Sequence, residues 1–222
     1  MARIGIMGGT FDPIHKGHLL IGRQAKTEYN LSQIWYMPSG QPPHKRDHRV
    51  SEADTRCDMV KLALAHEDGL IFSDFEIRRP GNTYTAQTLA LLQEAYPEHE
   101  FYFILGADSL YEIEQWYHPE QIMANTAILA ACREYDPDHP SLAQQIQYLT
   151  RKYQARIYQL HSPEMDVSSE EIRRLTGEGK SAEAYVPRAV WEYICEHGLY
   201  QDSNSDGGAS CPSAPGIEGM EA

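Results

Sequence analysis

The sequence predicts an α/β fold: a doubly wound, mainly parallel sheet of about six strands with helices on both faces. Three observations predict it. Short apolar runs of strand length alternate with stretches of helical period along most of the chain. The run Phe101-Tyr102-Phe103-Ile104-Leu105 is continuously apolar, as a strand covered on both faces must be. The first apolar run ends in a glycine turn that leads directly into an amphipathic helix.

In order, Ile4-Gly5-Ile6-Met7 reads as the first, buried strand. Leu19, Leu20, Ile21, Ala25 and Tyr29 supply the apolar face of the first helix. Residues 33–38 are the second strand. Residues 51–67 are expected to be helical, with Ser51 as N-cap and Asp54 in the capping-box position. Residues 70–72 form a third strand, and the alternation at 75–78 suggests an extra edge piece. Pro80-Gly81-Asn82 is turn chemistry. A helix then runs to about Tyr96, with Thr83 or Thr85 as a natural cap. Residues 101–105, 127–131 and 155–160 are the fourth to sixth strands, and 141–153 is a helix between the last two. Ser168 or Ser169 caps another helix. The last one, 185–194, has Pro187 near its start and Gly198 at its end. Past residue 200 the composition turns to Ser, Gly and Pro. The expected organisation is one domain over residues 1–200 and a disordered tail over 201–222.

Length and charge narrow the function classes. With 222 residues the chain can bury one substantial core. Nineteen Lys and Arg against 32 Asp and Glu leave a formal charge of −13. Such a surface repels nucleic acid and acidic membranes, so neither is an expected partner, and an anionic substrate needs a locally positive site. Cys57, Cys132, Cys195 and Cys211 form no C-x-x-C pair, and are expected to be reduced thiols. No signal-peptide pattern opens the sequence, and no apolar run approaches the roughly 20 residues that span a bilayer. The expectation is a cytoplasmic monomer or small homo-oligomer.

The chemistry concentrates in Gly8-Gly9-Thr10-Phe11-Asp12-Pro13-Ile14-His15-Lys16-Gly17-His18-Leu19. A helix N-terminus offers unpaired N–H groups and the positive end of the dipole, so it attracts anions. Glycines let a phosphate approach the backbone. His15 and His18, three residues apart, share one face of a first helical turn, and Gly17 between them leaves room where a ligand could lie. A His pair alone could equally be surface polar residues or two metal ligands. The spacing fits neither the Rossmann dinucleotide fingerprint nor a Walker A loop.

Later segments add candidates. Ser39-Gly40-Gln41-Pro42-Pro43-His44-Lys45-Arg46 is a proline-stiffened loop that either is plainly solvated or presents Lys45 to a phosphate. Thr85 stands at a helix start. Asp108 follows the fourth strand, where ligands of open α/β sheets bind; it could accept ribose hydroxyls, help position a metal, or merely cap the next helix. Trp116 is either a core plug or a stacking plate for a pyridine ring. Ser168, Ser169 and Arg173 repeat the helix-start pattern, with Arg173 one turn in.

The HxGH element after a first strand resembles the nucleotidyltransferase superfamily, whose fold is Rossmann-like. The longer string Gly-Gly-Thr-Phe-Asp-Pro-Ile-His-x-Gly-His is most similar to its nicotinate-nucleotide adenylyltransferase branch. The resemblance runs from residue 3 to about 200. It includes the Pro-Pro-His-Lys loop, Thr83-Tyr84-Thr85, Trp116 after Gly-x-Asp, the Ser168-Ser169…Arg173 element, and the closing Val-Pro-x-x-Val-x-x-Tyr-Ile-x-x-x-Gly-Leu-Tyr. Val167 and Glu170 depart from that family's Ile and Thr. The resemblance implies transfer of the adenylyl group of ATP to nicotinate mononucleotide, giving deamido-NAD and pyrophosphate. It implies His15, His18, Lys45 and Arg173 as the catalytic, charge-stabilising set. Gly8, Gly9, Thr10, Phe11, His18, Ser168, Ser169 and Arg173 would bind ATP; Lys45, Thr85, Asp108 and Trp116 would bind the mononucleotide. Mg²⁺ would arrive on phosphate oxygens, with no protein metal site. The alternatives are a nicotinamide-mononucleotide adenylyltransferase and a catalytically silent nucleotide sensor, the latter invited by Glu170. Phosphopantetheine and riboflavin phosphate are further possible acceptors. Phosphopantetheine enzymes are shorter and carry Thr for the first His.

Overall fold

The structure, a computed structural model, describes residues 1–40, 50–131, 140–161, 163 and 167–201. Six strands form one all-parallel sheet: β1 (Ala2–Gly9), β2 (Gln33–Pro38), β3 (Leu70–Phe72), β4 (His99–Gly106), β5 (Ala127–Ala131) and β6 (Arg156–Leu160). Their order is β3-β2-β1-β4-β5-β6. The eight helices among the described residues are α1 (Lys16–Glu28), α2 (Ala53–Leu64), α3 (Thr85–Ala95), α4 (Ala107–Glu112), α5 (Pro119–Asn125), α6 (Leu142–Tyr153), α7 (Ser169–Gly177) and α8 (Arg188–Glu196). A short 3-10 turn, Ile113–Gln115, joins α4 to the loop before α5.

Alternate residues of β1, β2, β4, β5 and β6 feed two separate cores, because successive strand side chains point to opposite faces. Ile34, Tyr36, Tyr102, Ile104, Leu129 and Leu160 pack beneath α1, α2, α7 and α8. Ile4, Ile6, Phe101, Phe103, Ile128 and Ala130 pack beneath α3 to α6. Both faces are covered, and that is why β4 and β5 read as unbroken apolar runs.

The chain winds from β1 outward to β3, then returns to place β4 on the other side of β1. The winding therefore reverses between β1 and β4, whose register pairs Ile6 with Phe103 and Met7 with Ile104. In such sheets the crevice beyond the C-terminal ends at this point is where ligands bind.

Several local expectations are corrected. Residues 75–78 form a turn rather than an edge strand: the Arg78 and Arg79 N–H groups donate to the Asp74 and Glu76 carbonyls. Helix α2 starts at Ala53 with Glu52 in the cap position, because Ser51 turns its N–H toward Asp12. Helix α3 follows Tyr84, and neither Thr83 nor Thr85 caps it. Cys195 is disulfide-bonded, so the reduced state expected of it does not hold; Cys57 is a free, buried thiol, and Cys132 and Cys211 lie outside the described residues. The expected tail, 201–222, lies outside the described residues except Gln201. Among the described residues no helix is long and apolar enough to cross a membrane.

Candidate active site

Helix α1 begins at the mouth of this crevice. His15 sits in the cap position with extended backbone, and His18 is the third helical residue. The His15 N–H donates to Nδ1 of His18 at 3.2 Å. With Nδ1 accepting, the proton of a neutral His18 ring is on Nε2, which is then the nitrogen that donates. The two rings overlie each other with centroids 3.7 Å apart. The edge of Phe11 meets His18 at 5.1 Å. Beneath, the buried Tyr36 hydroxyl donates to the His18 carbonyl at 2.9 Å, and burial pushes the Tyr36 hydroxyl pKa well above its ordinary value.

Gly17 has a different purpose from the one its spacing suggested. A Cβ there would lie 3.0 Å from Nδ1 of His15 and 3.2 Å from Cγ1 of Val167. The space is taken by the His15 ring and by Val167, not left for a ligand. His15 is accordingly buried, at 6% exposure.

Val167 leads into the second helix start. The Ser168 hydroxyl caps α7 by accepting from the Glu171 N–H at 3.1 Å. The neighbouring Ser169 hydroxyl donates to the Pro13 carbonyl at 2.9 Å. One turn on, Nη1 of Arg173 donates to the Asp12 carbonyl at 2.7 Å. The starts of α1 and α7 are thus fastened to the same loop, which brings His15, His18, Ser168, Ser169 and Arg173 to one place. Glu170, the residue that departs from the family pattern, is exposed in the first turn of α7, where a carboxylate complements the helix dipole.

Two residues that sequence reasoning passed over hold this loop. The Asp12 carboxylate is buried, accepting from the Ser51 N–H at 3.0 Å and from the Tyr200 hydroxyl at 2.6 Å. Burial raises the Tyr200 pKa, with the charge of Asp12 adding to it. Arg56 is 1% exposed and donates to the carbonyls of Ser51, Thr10, Ser39 and Gly40 at 2.7–3.2 Å. It pins the ends of β1 and β2 to each other, and burial lowers its pKa. A signal existed: Arg56 precedes Met59, Val60 and Ala63 at helical spacing, so it stands on the apolar face of α2.

The remaining candidates lie across the sheet. Gly8 and Gly9 end β1 opposite Met37 and Pro38. A Cβ on Gly8 would touch the Phe103 ring at 3.6 Å. Phe103 in turn meets Trp116 edge-on, with centroids 6.3 Å apart. Trp116 is half-buried against the second core. Thr85 is the first residue of α3, and Asp108 is exposed in the first turn of α4. Thr10 contributes its carbonyl to Arg56. Lys45 lies outside the described residues. The sheet edge between β1 and β4 therefore has the paired helix starts on one side and Thr85, Asp108 and Trp116 on the other.

Comparison with known proteins agrees with this geometry. The cytidylyltransferase-like family model matches residues 6–175. A probable nicotinate-nucleotide adenylyltransferase of Lachnoclostridium phytofermentans is 44% identical over 200 residues, covering 90% of this chain and 100% of that one. One from Synechococcus sp. is 40% identical over 200 residues, covering 90% and 95%. Among solved structures, the Plasmodium falciparum nicotinic acid mononucleotide adenylyltransferase complexed with NaAD shares the fold. Its TM-score is 0.74 at 21% identity, over 90% of this chain and 98% of that one. A glycine-closed first strand, a histidine pair at a helix start, a second helix start fastened to the same loop and this full-length likeness lead to one assignment: the chain belongs to the nicotinate-nucleotide adenylyltransferase family.

Proposed function

We propose that the protein transfers the adenylyl group of ATP to nicotinate mononucleotide, releasing pyrophosphate and forming deamido-NAD. The observation that carries this reading is the convergence of two helix starts on the loop after β1, through Arg173 to the Asp12 carbonyl and Ser169 to the Pro13 carbonyl. A chain of phosphates fits such a place, since both helices turn the positive end of their dipoles toward it and His18 contributes a donor nitrogen.

The reaction needs no protein nucleophile. A phosphate oxygen of the mononucleotide attacks the α-phosphorus of ATP in line. A new P–O bond forms, the bond from the α-phosphorus to the bridging oxygen breaks, and the electron pair leaves with pyrophosphate. The attacking phosphate is already anionic at neutral pH. Catalysis then consists of positioning and of stabilising charge on the reacting phosphates. His18 donates from Nε2 and Arg173 supplies fixed positive charge. His15, buried beneath His18, orients it. Lys45 is the fourth member of this set. Gly8, Gly9, Thr10, Phe11, Ser168 and Ser169 shape the triphosphate side.

Thr85, Asp108 and Trp116 take the mononucleotide, with the Trp116 ring against the pyridine and Asp108 on ribose hydroxyls. Mg²⁺ travels with the triphosphate. Imidazole and guanidinium groups are poor partners for this hard cation and the Ser168 and Ser169 hydroxyls are committed to the Glu171 N–H and the Pro13 carbonyl, so phosphate oxygens and water would supply its ligands. The reading implies soluble substrates and no nucleic acid or membrane partner.

The test is an assay of purified protein with ATP, Mg²⁺ and one acceptor at a time: nicotinate mononucleotide, nicotinamide mononucleotide, phosphopantetheine or riboflavin phosphate. Pyrophosphate release at least ten times faster with nicotinate mononucleotide, an order-of-magnitude threshold of about 1.4 kcal/mol, supports the proposal. Preference for another acceptor, or nucleotide binding without release, overturns it.

A further inference from the structure

Glu76 belongs to no motif and touches none of the candidate substrate-binding residues, yet it is a half-buried carboxylate bonded on either side of one of them, Thr85. It lies in the turn after β3. That turn is tied to the sheet by the Ser73 N–H donating to the Tyr36 carbonyl at 2.8 Å. It closes on itself where the Arg79 N–H donates to the Glu76 carbonyl at 3.1 Å.

The Glu76 carboxylate accepts from two hydroxyls that flank the start of α3. Thr83 donates to Oε2 at 3.2 Å and Thr88 donates to Oε1 at 2.6 Å. The direction of the second bond is fixed, because Nη1 of Arg79 donates to the Thr88 hydroxyl at 3.0 Å and commits its proton to Glu76. Both threonines are buried, at 7% and 3% exposure. Between them stand Tyr84 and Thr85. The Tyr84 ring lies 4.4 Å from that of Tyr117, the residue next to Trp116.

We propose that Glu76 is the positioning residue of the mononucleotide side: by gripping Thr83 and Thr88 it fixes the start of α3, and through Tyr84 and Tyr117 the wall that carries Trp116. This rests on the assignment of Thr85 and Trp116 to the mononucleotide. Glu76 itself never meets the substrate. Its effect is on the affinity of one substrate only, since the triphosphate elements α1 and α7 pack on the opposite face of the sheet.

The experiment measures KM for each substrate and kcat by pyrophosphate release in wild type, E76L, E76Q, T83V and T83S. E76L removes both bonds, and T83V removes one hydroxyl without changing shape. Each should raise KM for nicotinate mononucleotide by about 5- to 50-fold, the effect of losing buried hydrogen bonds. KM for ATP and kcat should stay within about twofold. E76Q and T83S keep hydrogen-bonding groups in place and should recover most of the loss, which distinguishes positioning from packing. T83V and T83S keep the test open where E76L does not fold. Unchanged mononucleotide KM in E76L and T83V, or equal rises in both KM values, overturns the inference. Wild-type protein that releases no pyrophosphate with nicotinate mononucleotide overturns the functional reading beneath it, and the inference with it.

Discussion

Single side chains in this protein are set by bonds that cross long stretches of sequence. His18 shows the consequence for chemistry. Its Nδ1 is occupied as an acceptor at 3.2 Å and its ring is sandwiched between His15 and Phe11, so Nε2 donates from a fixed place. A preorganised donor aimed at developing charge is worth several kcal/mol, so H18A should lower kcat by ~10²–10³ with a smaller effect on either KM. Steady-state kinetics showing an unchanged kcat would remove the charge-stabilising role. Glu76 shows the cost side of the same principle. Burial raises its pKa above the ordinary 4.5, against the hydrogen bonds from Thr88 and Thr83 and the charge of Arg79. A carboxyl shifted upward holds its proton more firmly in the folded chain. It therefore subtracts stability as pH rises past the ordinary value, and the loss is complete above the raised one. E76Q cannot titrate. The melting temperature of E76Q relative to wild type should climb as pH rises above the ordinary carboxylate value of 4.5; a difference that stays flat there would mean that the folded carboxyl has an ordinary pKa.

Elements fit one another through a few tight approaches, and the clearest is α1 over β2. A methyl group on Gly22 would collide with the Tyr36 hydroxyl, the group that holds the His18 carbonyl. Overpacking of this kind costs about 1–3 kcal/mol, partly offset by the better helix propensity of Ala, so G22A should melt at lower temperature. Y36F removes the colliding oxygen. The double variant G22A/Y36F should therefore be less destabilised than the two single losses added together; strict additivity in thermal melts would show that the contact is not the cause. The same packing explains what the sequence did and did not reveal. All six strands were legible because a parallel sheet covered on both faces demands short apolar runs, and α1 was legible because the motif and the apolar period coincide. The start of α2 was not, because Ser51 spends its N–H on Asp12 and its carbonyl on Arg56, residues 39 and 5 positions away. The turn at 75–78 imitated a strand because Phe75 faces the second core while Glu76 faces Thr83 and Thr88. The helix starts that carry His15, His18, Ser168, Ser169 and Arg173 could be read because helix starts have local signatures. The roles of Asp12 and Glu76 could not, since a polar side chain whose partners are distant backbone groups or hydroxyls leaves no local pattern; Arg56 left one, its place on the apolar face of α2.

On the scale of the whole molecule, the reversal of winding between β1 and β4 divides the site into two halves on opposite faces of one sheet. The half with α1 and α7 is fastened together by Ser169 and Arg173. The half with α3 and α4 is fastened through Glu76 and the aromatic contacts of Phe103, Trp116, Tyr84 and Tyr117. Among the described residues the halves meet along β1 and β4 and where Gly40, held by Arg56, lies against the turn of Glu76. Because no described hydrogen bond runs from Arg173 to Trp116, a change in one half should reach the other only through the substrates. R173K keeps the charge but loses the planar fork, so it should raise KM for ATP and lower kcat while KM for nicotinate mononucleotide stays within about twofold. W116A should do the reverse, raising KM for the mononucleotide by about 10-fold or more, since a stacked aromatic contact is worth roughly 1–3 kcal/mol. The combined variant should show both losses in full, as independent sites do. Equal effects of W116A on both substrates, or a double variant no worse than either single one, would mean that the two faces respond as one unit and that the sheet does not separate the substrates.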